Sequence, residues 1–383
     1  MVRVPTVRPT SRGGIGQLLR YASAVQSPRL ELSEASDGSI SQYRECQASS
    51  RGSIDTIPNN KGQFKIALCQ LSVSLDKERN IARARQSIKD AAEKGARLIV
   101  LPEMWNCPFS NDNFPKYAED FDDKDASPSF SMLSEAASSQ GITIVGGSMP
   151  ERCGDRLYNT SCVFGIDGKL QAKHRKVHLF DIDVPGDTYF KESDTLTAGD
   201  KPTIVDTDVG RIGIGICHDI CFPELAMLYG GRGAQLICYP GAFNMSTGEL
   251  LWELVQRARQ EYIMTFLGIC SDYKGSYRQL STAGTECLSF LDNFRIIERA
   301  ADNQLFVATC SPAQDSTGCY MIWGHSTLVG PSGDIIATTG QEETTVFAEI
   351  DYSMIQLLRE NLPLEKKRRV DIYQLIDVYE QKD

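Results

Sequence analysis

The 383-residue sequence lacks the hallmarks of two large protein classes. It contains no run of about 18 consecutive apolar residues, which a membrane-spanning helix requires. It also lacks a basic excess, because its formal net charge is -10 at pH 7, whereas binding to nucleic acid depends on a basic surface. We therefore expect that this protein neither spans a membrane nor binds nucleic acid.

Motifs for phosphate and metal binding are also scarce. The segment GRIGIG lacks the glycine spacing of a dinucleotide-binding loop. The spacing of the 12 cysteines matches neither a compact disulfide framework nor a pair of CxxC motifs. We therefore expect mostly buried free thiols in a reducing compartment. One cluster, CHDIC at 217–221, leaves two alternatives open: a zinc site, or a redox pair of Cys217 and Cys221.

Acidic residues are missing from the first 30 positions. The first acid is Glu31, and the segment before it carries scattered Ser and Thr with five arginines: Arg3, Arg8, Arg12, Arg20 and Arg29. This composition is typical of organellar transit peptides, and no apolar core of a secretory signal is present. The composition of the polar, Ser-rich stretch that follows is typical of a linker. We predict that 1–62 is a transit-peptide-like segment and disordered linker addressed to chloroplast or mitochondrion; without that address the protein is cytoplasmic.

From Phe64 onward, strand and helix patterns alternate. FKIALCQLSV and RLIVLPE have strand character and flank a helical pattern that stops at Gly95. A helix around Ser129 to Ser139 precedes the strand GITIVGGS, and a hairpin with its turn at Asp167 and Gly168 follows. The next three segments are predicted to form a strand, a helix and a strand: GRIGIGIC, FPELAMLYGGRG and AQLICYPGAF. The pattern predicts an α/β layered fold with mixed sheets.

Cys217 lies where a predicted strand ends and a helix begins. Amides at a helix N-terminus favour a thiolate, the reactive form of a cysteine nucleophile. A partner base is less obvious, because none of the four histidines has an evident Asn or Asp partner by motif. Glu103 and Lys176 follow strands near the predicted core, but each taken singly also fits an ordinary solvated loop residue.

Three segments taken together, LPEMWN, HRKVHLFDIDVPG and GICHDICFPE, resemble the carbon–nitrogen hydrolase (nitrilase) superfamily. Further similar segments are YPGAFN, WELVQRAR, ADNQLFVATCSPA and WGHSTLVGPSGDII. Within the superfamily the omega-amidases are most similar, through FKESDTLTAGD, YPGAFNMSTG and GQEETTVFAEID. The resemblance implies a four-layer α-β-β-α sandwich, a homodimer, and hydrolysis of the terminal amide of 2-oxoglutaramate or 2-oxosuccinamate to the 2-oxo dicarboxylate and ammonia.

The same resemblance implies a role for four residues. Cys217 would be the nucleophile that forms a thioester, Glu103 the general base, and Lys176 the cation that stabilises the tetrahedral intermediate. Glu192 would support the site. No step of this scheme needs a metal or an organic cofactor, and the partner is a small-molecule amide.

Near the nucleophile the sequence departs from its relatives. They commonly have tyrosine where this chain has His218 and arginine where it has Cys221, and omega-amidases generally have tyrosine where it has Phe109. A cysteine cannot replace the charge and the bidentate fork of an arginine. If that arginine binds the oxoacid, its loss costs about 1.5–3 kcal/mol of binding. Phe109, His218 and Cys221 are therefore candidate substrate-binding positions.

A larger departure lies at about 260–299, between WELVQRAR and ADNQLFVATCSPA, which follow each other almost directly in relatives. A surface lid is one interpretation, since loops tolerate insertions. We favour a transcript irregularity such as a translated intron. The predicted domains are 1–62, the hydrolase domain 63–375 with this insertion, and a tail 376–383. Two functions stay as alternatives: another hydrolase of the family, such as a carbamoyl-amine amidohydrolase, and a catalytically impaired homologue that acts as a binding protein.

Overall fold

The computed structural model describes residues 62–123, 125–183, 189–245, 248, 303–314 and 320–379. The chain divides into two units, of which the first comprises 1–59 and 182–189 and the second 60–181 and 190–383. Of the first unit the structure describes Ile182, Asp183 and Tyr189. The predicted targeting segment and linker, except for Gly62, and the predicted insertion at 260–299 lie outside the described residues.

The described residues of the second unit form two large β-sheets. The seven-stranded sheet has the order β15-β1-β2-β3-β5-β4, with β6 paired to β5. β1, β2 and β3 run parallel, and the remaining pairs are antiparallel. The strands are β1 Gln63–Gln70, β2 Ala96–Val100, β3 Thr143–Val145, β4 Met149–Cys153, β5 Arg156–Phe164, β6 Leu170–Arg175 and β15 Thr344–Asp351.

The six-stranded sheet has the order β14-β13-β12-β11-β10-β9, with β10, β11 and β12 parallel. Its strands are β9 Thr203–Thr207, β10 Gly210–Ile214, β11 Leu236–Pro240, β12 Phe306–Cys310, β13 Thr327–Val329 and β14 Ile335–Thr338. The short strands β7 Asp181–Asp183 and β8 Tyr189–Lys191 lie outside both sheets. The mixed sheets predicted from the pattern are confirmed.

Five α-helices lie entirely within the described residues: α1 Lys77–Glu93, α2 Phe114–Tyr117, α3 Pro128–Gln140, α4 Pro223–Gly231 and α5 Ser353–Asn361. The Asp76 side chain accepts the Arg79 N–H and caps α1, which buries one stripe at helical spacing, including Ala84 and Ile88. The helix ends at Glu93 with its C-cap at Lys94, just before the predicted stop at Gly95, whose φ is +86°. Short 3₁₀ turns occur at Glu192–Asp194, Cys217–Cys221 and Glu365–Lys367.

Successive side chains of a strand point to opposite faces of its sheet, so each sheet packs against a different layer on each face. In β1, Ile66 and Leu68 pack in one buried cluster with Ile212 and Phe306 of the other sheet, whereas Ala67 and its neighbours on the opposite face pack with side chains of α1 and α3. The outer face of the six-stranded sheet packs with α4 in a third cluster. Two sheets therefore meet face to face between helices, and the four-layer α-β-β-α sandwich is confirmed.

One predicted strand is shorter than its sequence pattern. GITIVGGS forms a strand only over Thr143–Val145, because the chain turns at Gly147, whose φ is +64°. A Cβ at Gly147 would lie 2.2 Å from the carbonyl oxygen of Pro102. This close approach needs glycine, and it packs the turn against the segment that leads to Glu103.

The described helices do not include one that is both long and apolar enough for a membrane span.

Candidate active site

Cys217 lies just beyond the end of β10, at the start of a 3₁₀ turn that leads into α4. Its φ is +48°, a conformation that costs a non-glycine residue about 1 kcal/mol or more and that clusters at functional sites. Gly215, two residues earlier, packs so tightly that a Cβ there would lie 2.4 Å from the Tyr239 ring. The turn therefore presents Cys217 in a strained, closely packed position, with 5% of the residue exposed.

Glu103 follows β2 and is fully buried. Its Oε1 accepts hydrogen bonds from Lys176 Nζ at 3.0 Å and from Asn159 Nδ2 at 2.8 Å. Its Oε2 accepts one from the backbone N–H of Ala242 at 2.7 Å. A buried carboxylate with three donors is held in one orientation, so the alternative of an ordinary solvated loop residue is wrong for Glu103.

Lys176 directly follows β6 and is also fully buried. Its Nζ lies 3.0 Å from Glu103 Oε1 and 2.8 Å from Glu192 Oε2. Burial alone would lower the pKa of Lys176, but the two carboxylates outweigh burial and hold that pKa well above its usual value. Lys176 is therefore a permanent cation between two acids, and the solvated alternative is wrong for it too.

Glu192 shares this cation from the far side. Besides the contact with Lys176, its Oε2 accepts the backbone N–H of Phe180 at 2.7 Å. Burial raises the pKa of Glu192 above its usual value, although Lys176 opposes the rise. One cation thus serves two buried carboxylates, and Glu192 retains a proton more readily than an exposed glutamate does.

The protonation of Cys217 differs from the prediction. Burial, and then the charge of Glu103, raise the pKa of the Cys217 thiol well above its usual value, while Lys176 opposes them less strongly. The expectation that helix amides favour the thiolate is wrong for this resting state, because Cys217 begins a five-residue 3₁₀ turn and lies beside a carboxylate. The thiol instead lies beside the Glu103 carboxylate, and this interaction favours the protonated form of the sulfur. This geometry suits proton transfer from sulfur to carboxylate during attack.

An aromatic cluster borders these residues. The Phe109 ring lies 4.6 Å from the Tyr320 ring and 5.6 Å from the Phe190 ring, centroid to centroid. The Tyr320 hydroxyl donates to the carbonyl of Ala242 at 3.0 Å. Burial, followed by the charges of Cys217 and Glu103, raises the pKa of Tyr320 well above its usual value. Phe109, a predicted substrate-binding position, therefore belongs to a ring cluster next to the buried charges.

His218 and Cys221 have different surroundings. His218 donates from Nδ1 to the carbonyl of Leu179 at 3.0 Å, and its ring meets those of Phe180 and Phe222 edge-on. Burial lowers the pKa of His218, and nearby Lys176 lowers it further. His218 is thus neutral and close to the charged cluster. Cys221 is half-buried and packs against the apolar cluster around α4.

Asp219 carries contacts that the sequence interpretation missed. Its buried carboxylate accepts hydrogen bonds from His178 Nδ1 at 2.8 Å and His174 Nε2 at 3.1 Å. His174 and His178 therefore have an acidic partner that no sequence motif indicated. Within the described residues, no three His, Cys, Asp or Glu side chains are arranged to hold a metal ion.

Three further contributors were also missed: Asn159, the Ala242 amide and Tyr320. A signal existed for Asn159, because an amide side chain within the strand-like run LYNTSCVF predicts a buried polar group that needs a partner. Ala242 lies in YPGAFN, but it contributes a backbone N–H, which leaves no mark in residue type.

Comparisons with known proteins agree on one family. The sequence model of the family "Carbon-nitrogen hydrolase" matches residues 65–275 and 296–360. The chloroplastic omega-amidase of Arabidopsis thaliana is 58% identical over 317 residues, which cover 82% of this chain and 75% of that protein. Omega-amidase NIT2-A of Xenopus laevis is 44% identical, over 81% of this chain and 97% of that protein.

Solved structures give the same result. Nit3 of Saccharomyces cerevisiae, a member of branch 10 of the nitrilase superfamily, superposes with a TM-score of 0.65 at 39% identity, covering 80% of this chain and 97% of that one. The NitFhit protein of C. elegans gives 0.64 at 28% identity, covering 82% and 67%.

Proposed function

The chain belongs to the carbon–nitrogen hydrolase family, and from this premise we propose that it is an omega-amidase in which Cys217, Glu103 and Lys176 perform the reaction. The substrate class comes from the relatives named omega-amidase, at 42–58% identity over most of the chain. One observation carries the residue assignment: Glu103 accepts a hydrogen bond from Lys176 Nζ at 3.0 Å within a buried cluster, beside the Cys217 thiol, whose pKa Glu103 helps to raise.

The first half of the reaction forms a thioester. As the sulfur of Cys217 attacks the amide carbon, its proton moves to Glu103 and the carbonyl electrons become an oxyanion. Lys176 stabilises this developing charge, because a fixed cation acts strongly in a buried site. When the tetrahedral intermediate collapses, the carbon–nitrogen bond breaks, and Glu103 delivers its proton to the departing nitrogen, which leaves as ammonia.

The second half hydrolyses the thioester. Glu103 takes a proton from a water molecule, whose oxygen attacks the thioester carbon and forms a second oxyanion beside Lys176. Collapse breaks the carbon–sulfur bond, releases the new carboxylic acid and returns the proton to Cys217. Glu192 holds Lys176 in place throughout through its 2.8 Å contact. Phe109, His218 and Cys221 are proposed to contact the substrate, with the arginine of relatives absent at position 221.

Ammonia release tests this function. The wild-type chain is expected to release ammonia from 2-oxoglutaramate and 2-oxosuccinamate, and Cys217→Ala to release none above background. Cys153→Ala, which changes an exposed cysteine without a disulfide, is the matched control and should keep full activity. Turnover of N-carbamoyl amines alone would indicate the carbamoyl-amine amidohydrolase alternative. Failure to hydrolyse either class, with retained binding of 2-oxoglutaramate, would indicate the binding-protein alternative.

Two further proposals concern assembly and location. We propose a homodimer, which the exposed apolar residues near the C-terminus support: Val370, Ile372, Tyr373, Leu375, Ile376, Val378 and Tyr379. Light scattering should then give twice the mass of one chain.

We also propose that residues 1–62 direct the protein to an organelle, and the name of the chloroplastic Arabidopsis relative supports a plastid. A fluorescent protein fused after residue 62 should show the destination.

A further inference from the structure

The carboxylate of Asp219 joins two separate stretches of backbone. Its Oδ2 accepts the N–H of Ile216 at 2.9 Å, and its Oδ1 accepts the N–H of His178 at 2.9 Å. Ile216 directly precedes Cys217, while His178 follows Lys176 by two residues. One buried side chain therefore links the turn that carries the thiol to the segment that carries the cation.

Two imidazoles complete the shell around this carboxylate. His178 donates from Nδ1 to Oδ1, and His174, two residues before Lys176, donates from Nε2 to Oδ2. His174 is in turn fixed at its other nitrogen, because Nδ1 lies 3.1 Å from the hydroxyl of Thr203. The carboxylate thus contacts the chain on both sides of Lys176, at His174 and at His178.

The electrostatics fit an ionised, fixed group. Burial alone would raise the pKa of Asp219, but the hydrogen bonds from His174 and His178 outweigh burial and hold that pKa well below its usual range. Asp219 therefore stays charged at neutral pH, when all four of its donors can be bound. An ionised acceptor forms stronger hydrogen bonds than a neutral one, so this link is stiffer than an amide would make it.

We infer that Asp219 is a positioning residue that sets the Cys217 sulfur relative to Lys176 Nζ. Cys217 holds an unfavourable φ of +48°, and such a conformation persists only where surrounding contacts impose it. The Ile216 N–H bond to Asp219 is the contact directly before this strained residue. A displacement of about 1 Å in a reacting group can cost about 10²-fold in rate, so a looser turn affects the chemical step more than binding. This inference rests on the proposed function.

Asp219→Asn is the main test. The asparagine side chain keeps the shape but has an NH₂ group in place of one carboxylate oxygen. Because each oxygen of Asp219 accepts one backbone N–H, at least one of these two bonds is lost. We expect kcat for 2-oxoglutaramate to fall about 10²-fold while KM changes less than about 3-fold. Alkylation of Cys217 by iodoacetamide, followed by peptide mass spectrometry with Cys153 as internal reference, should slow by a similar factor.

Glu119→Gln is the matched control for a general loss of stability. Glu119 is a fully buried carboxylate that accepts backbone N–H bonds from Ser129 and Phe130 at the start of α3 and pairs with Lys77 at 2.8 Å. Its substitution should lower Tm but leave kcat and Cys217 alkylation unchanged. If Glu119→Gln lowers kcat as much as Asp219→Asn does, the positioning role is wrong.

A milder variant keeps the test decisive if Asp219→Asn does not fold. His178→Phe retains a flat ring for the stack on Phe222, at 3.6 Å between centroids, and retains the His178 backbone N–H bond, but removes one donor to Asp219. We expect kcat to fall about 3–10-fold at unchanged KM. Full wild-type kcat in both variants, with Cys217→Ala inactive, would overturn the inference alone. Activity retained in Cys217→Ala would instead overturn the proposed function.

Discussion

Lys176 is the residue on which both the charge balance and the proposed chemistry depend. It is fully buried, and its Nζ contacts Glu103 and Glu192 at 3.0 and 2.8 Å. A buried charge is tolerated only when it is paired, and removing one partner leaves an uncompensated charge in a low-dielectric interior. Here a single substitution would leave two carboxylates without their cation.

Replacing Lys176 by methionine should therefore reduce both stability and activity. Methionine fills a similar volume but removes the cation, so we expect the free energy of unfolding to fall by about 3–5 kcal/mol, because buried pairs cost that much when broken. Ammonia release should fall by at least about 10³-fold, since the oxyanion loses its stabilising charge. Urea denaturation and the ammonia assay measure the two effects. Wild-type activity with a stable fold would contradict the assigned role.

At the scale of single residues, the sequence predicted those site residues whose type is unusual for their position in the chain. Glu103, Lys176 and Cys217 came from the resemblance, and their strand-end positions gave independent support. The surrounding donors were not predictable. Ala242 acts through its backbone N–H, and Tyr320 reaches the carbonyl of Ala242 from 78 residues away in sequence. The thiol of Cys217 was predicted in the wrong state, because its pKa depends on burial beside Glu103 rather than on the turn alone.

At the scale of elements, the Glu151 side chain connects three strands of the seven-stranded sheet through a hydrogen bond and ion pairs. It lies on β4, accepts from Thr160 of β5 at 2.7 Å, and pairs with Lys173 and Arg175 of β6 at 2.6 and 2.8 Å. Burial opposes its ionisation, but the hydrogen bonds from Arg175 and Lys173 outweigh burial and lower the pKa of Glu151 below its usual value of 4.5.

This shift makes the stability contributed by Glu151 depend on pH. A carboxyl whose folded-state pKa is lowered stabilises the fold above the unfolded pKa and loses that effect as pH falls through the folded value. Glu151→Gln should therefore cost about 1–3 kcal/mol of unfolding free energy at pH 7, and its difference from wild type should shrink below about pH 4.5. Urea denaturation at several pH values measures this. Glu135→Gln, which alters an exposed pair with Arg85, is the control and should change stability little at any pH.

Helices α1, α3 and α4 were predictable from the sequence, and in α1 the apolar residues recur clearly at helical spacing. Their ends depended on distant contacts. For α3, Ser127 at the N-cap makes no side-chain cap, and Glu119 supplies the acceptors for the first N–H groups instead. No local sequence signal marks a cap that comes from another segment.

At the scale of the whole molecule, the fold brings together residues that are far apart in sequence. Glu103 and Lys176 follow strands of the seven-stranded sheet, and Cys217 follows β10 of the six-stranded sheet. The periodicity indicated alternating strands and helices, but it could not show that the strands divide into two sheets. That step came from the resemblance, because sheet assignment depends on pairings such as β1 with β15, almost 300 residues apart.

The insertion predicted at about 260–299 leads to a test at this scale, on the whole chain. The family's sequence model matches residues on both sides and leaves 276–295 unmatched. The contacts of Glu103, Lys176 and Glu192 given above come from residues up to Ala242, and the Tyr320 contact comes from beyond the unmatched stretch. The two matched parts of the family's model include all of these site residues and do not include 276–295.

Deleting residues 276–295 should therefore leave a chain that folds and releases ammonia at least as fast as the full-length protein. Thermal melting and the ammonia assay on both chains measure this, with Cys217→Ala in the shortened chain as the inactive control. Loss of activity with an unchanged Tm would show that the segment acts at the site, as a lid does. Sequencing the transcript gives an independent answer, since a message that always contains these codons contradicts the translated-intron interpretation.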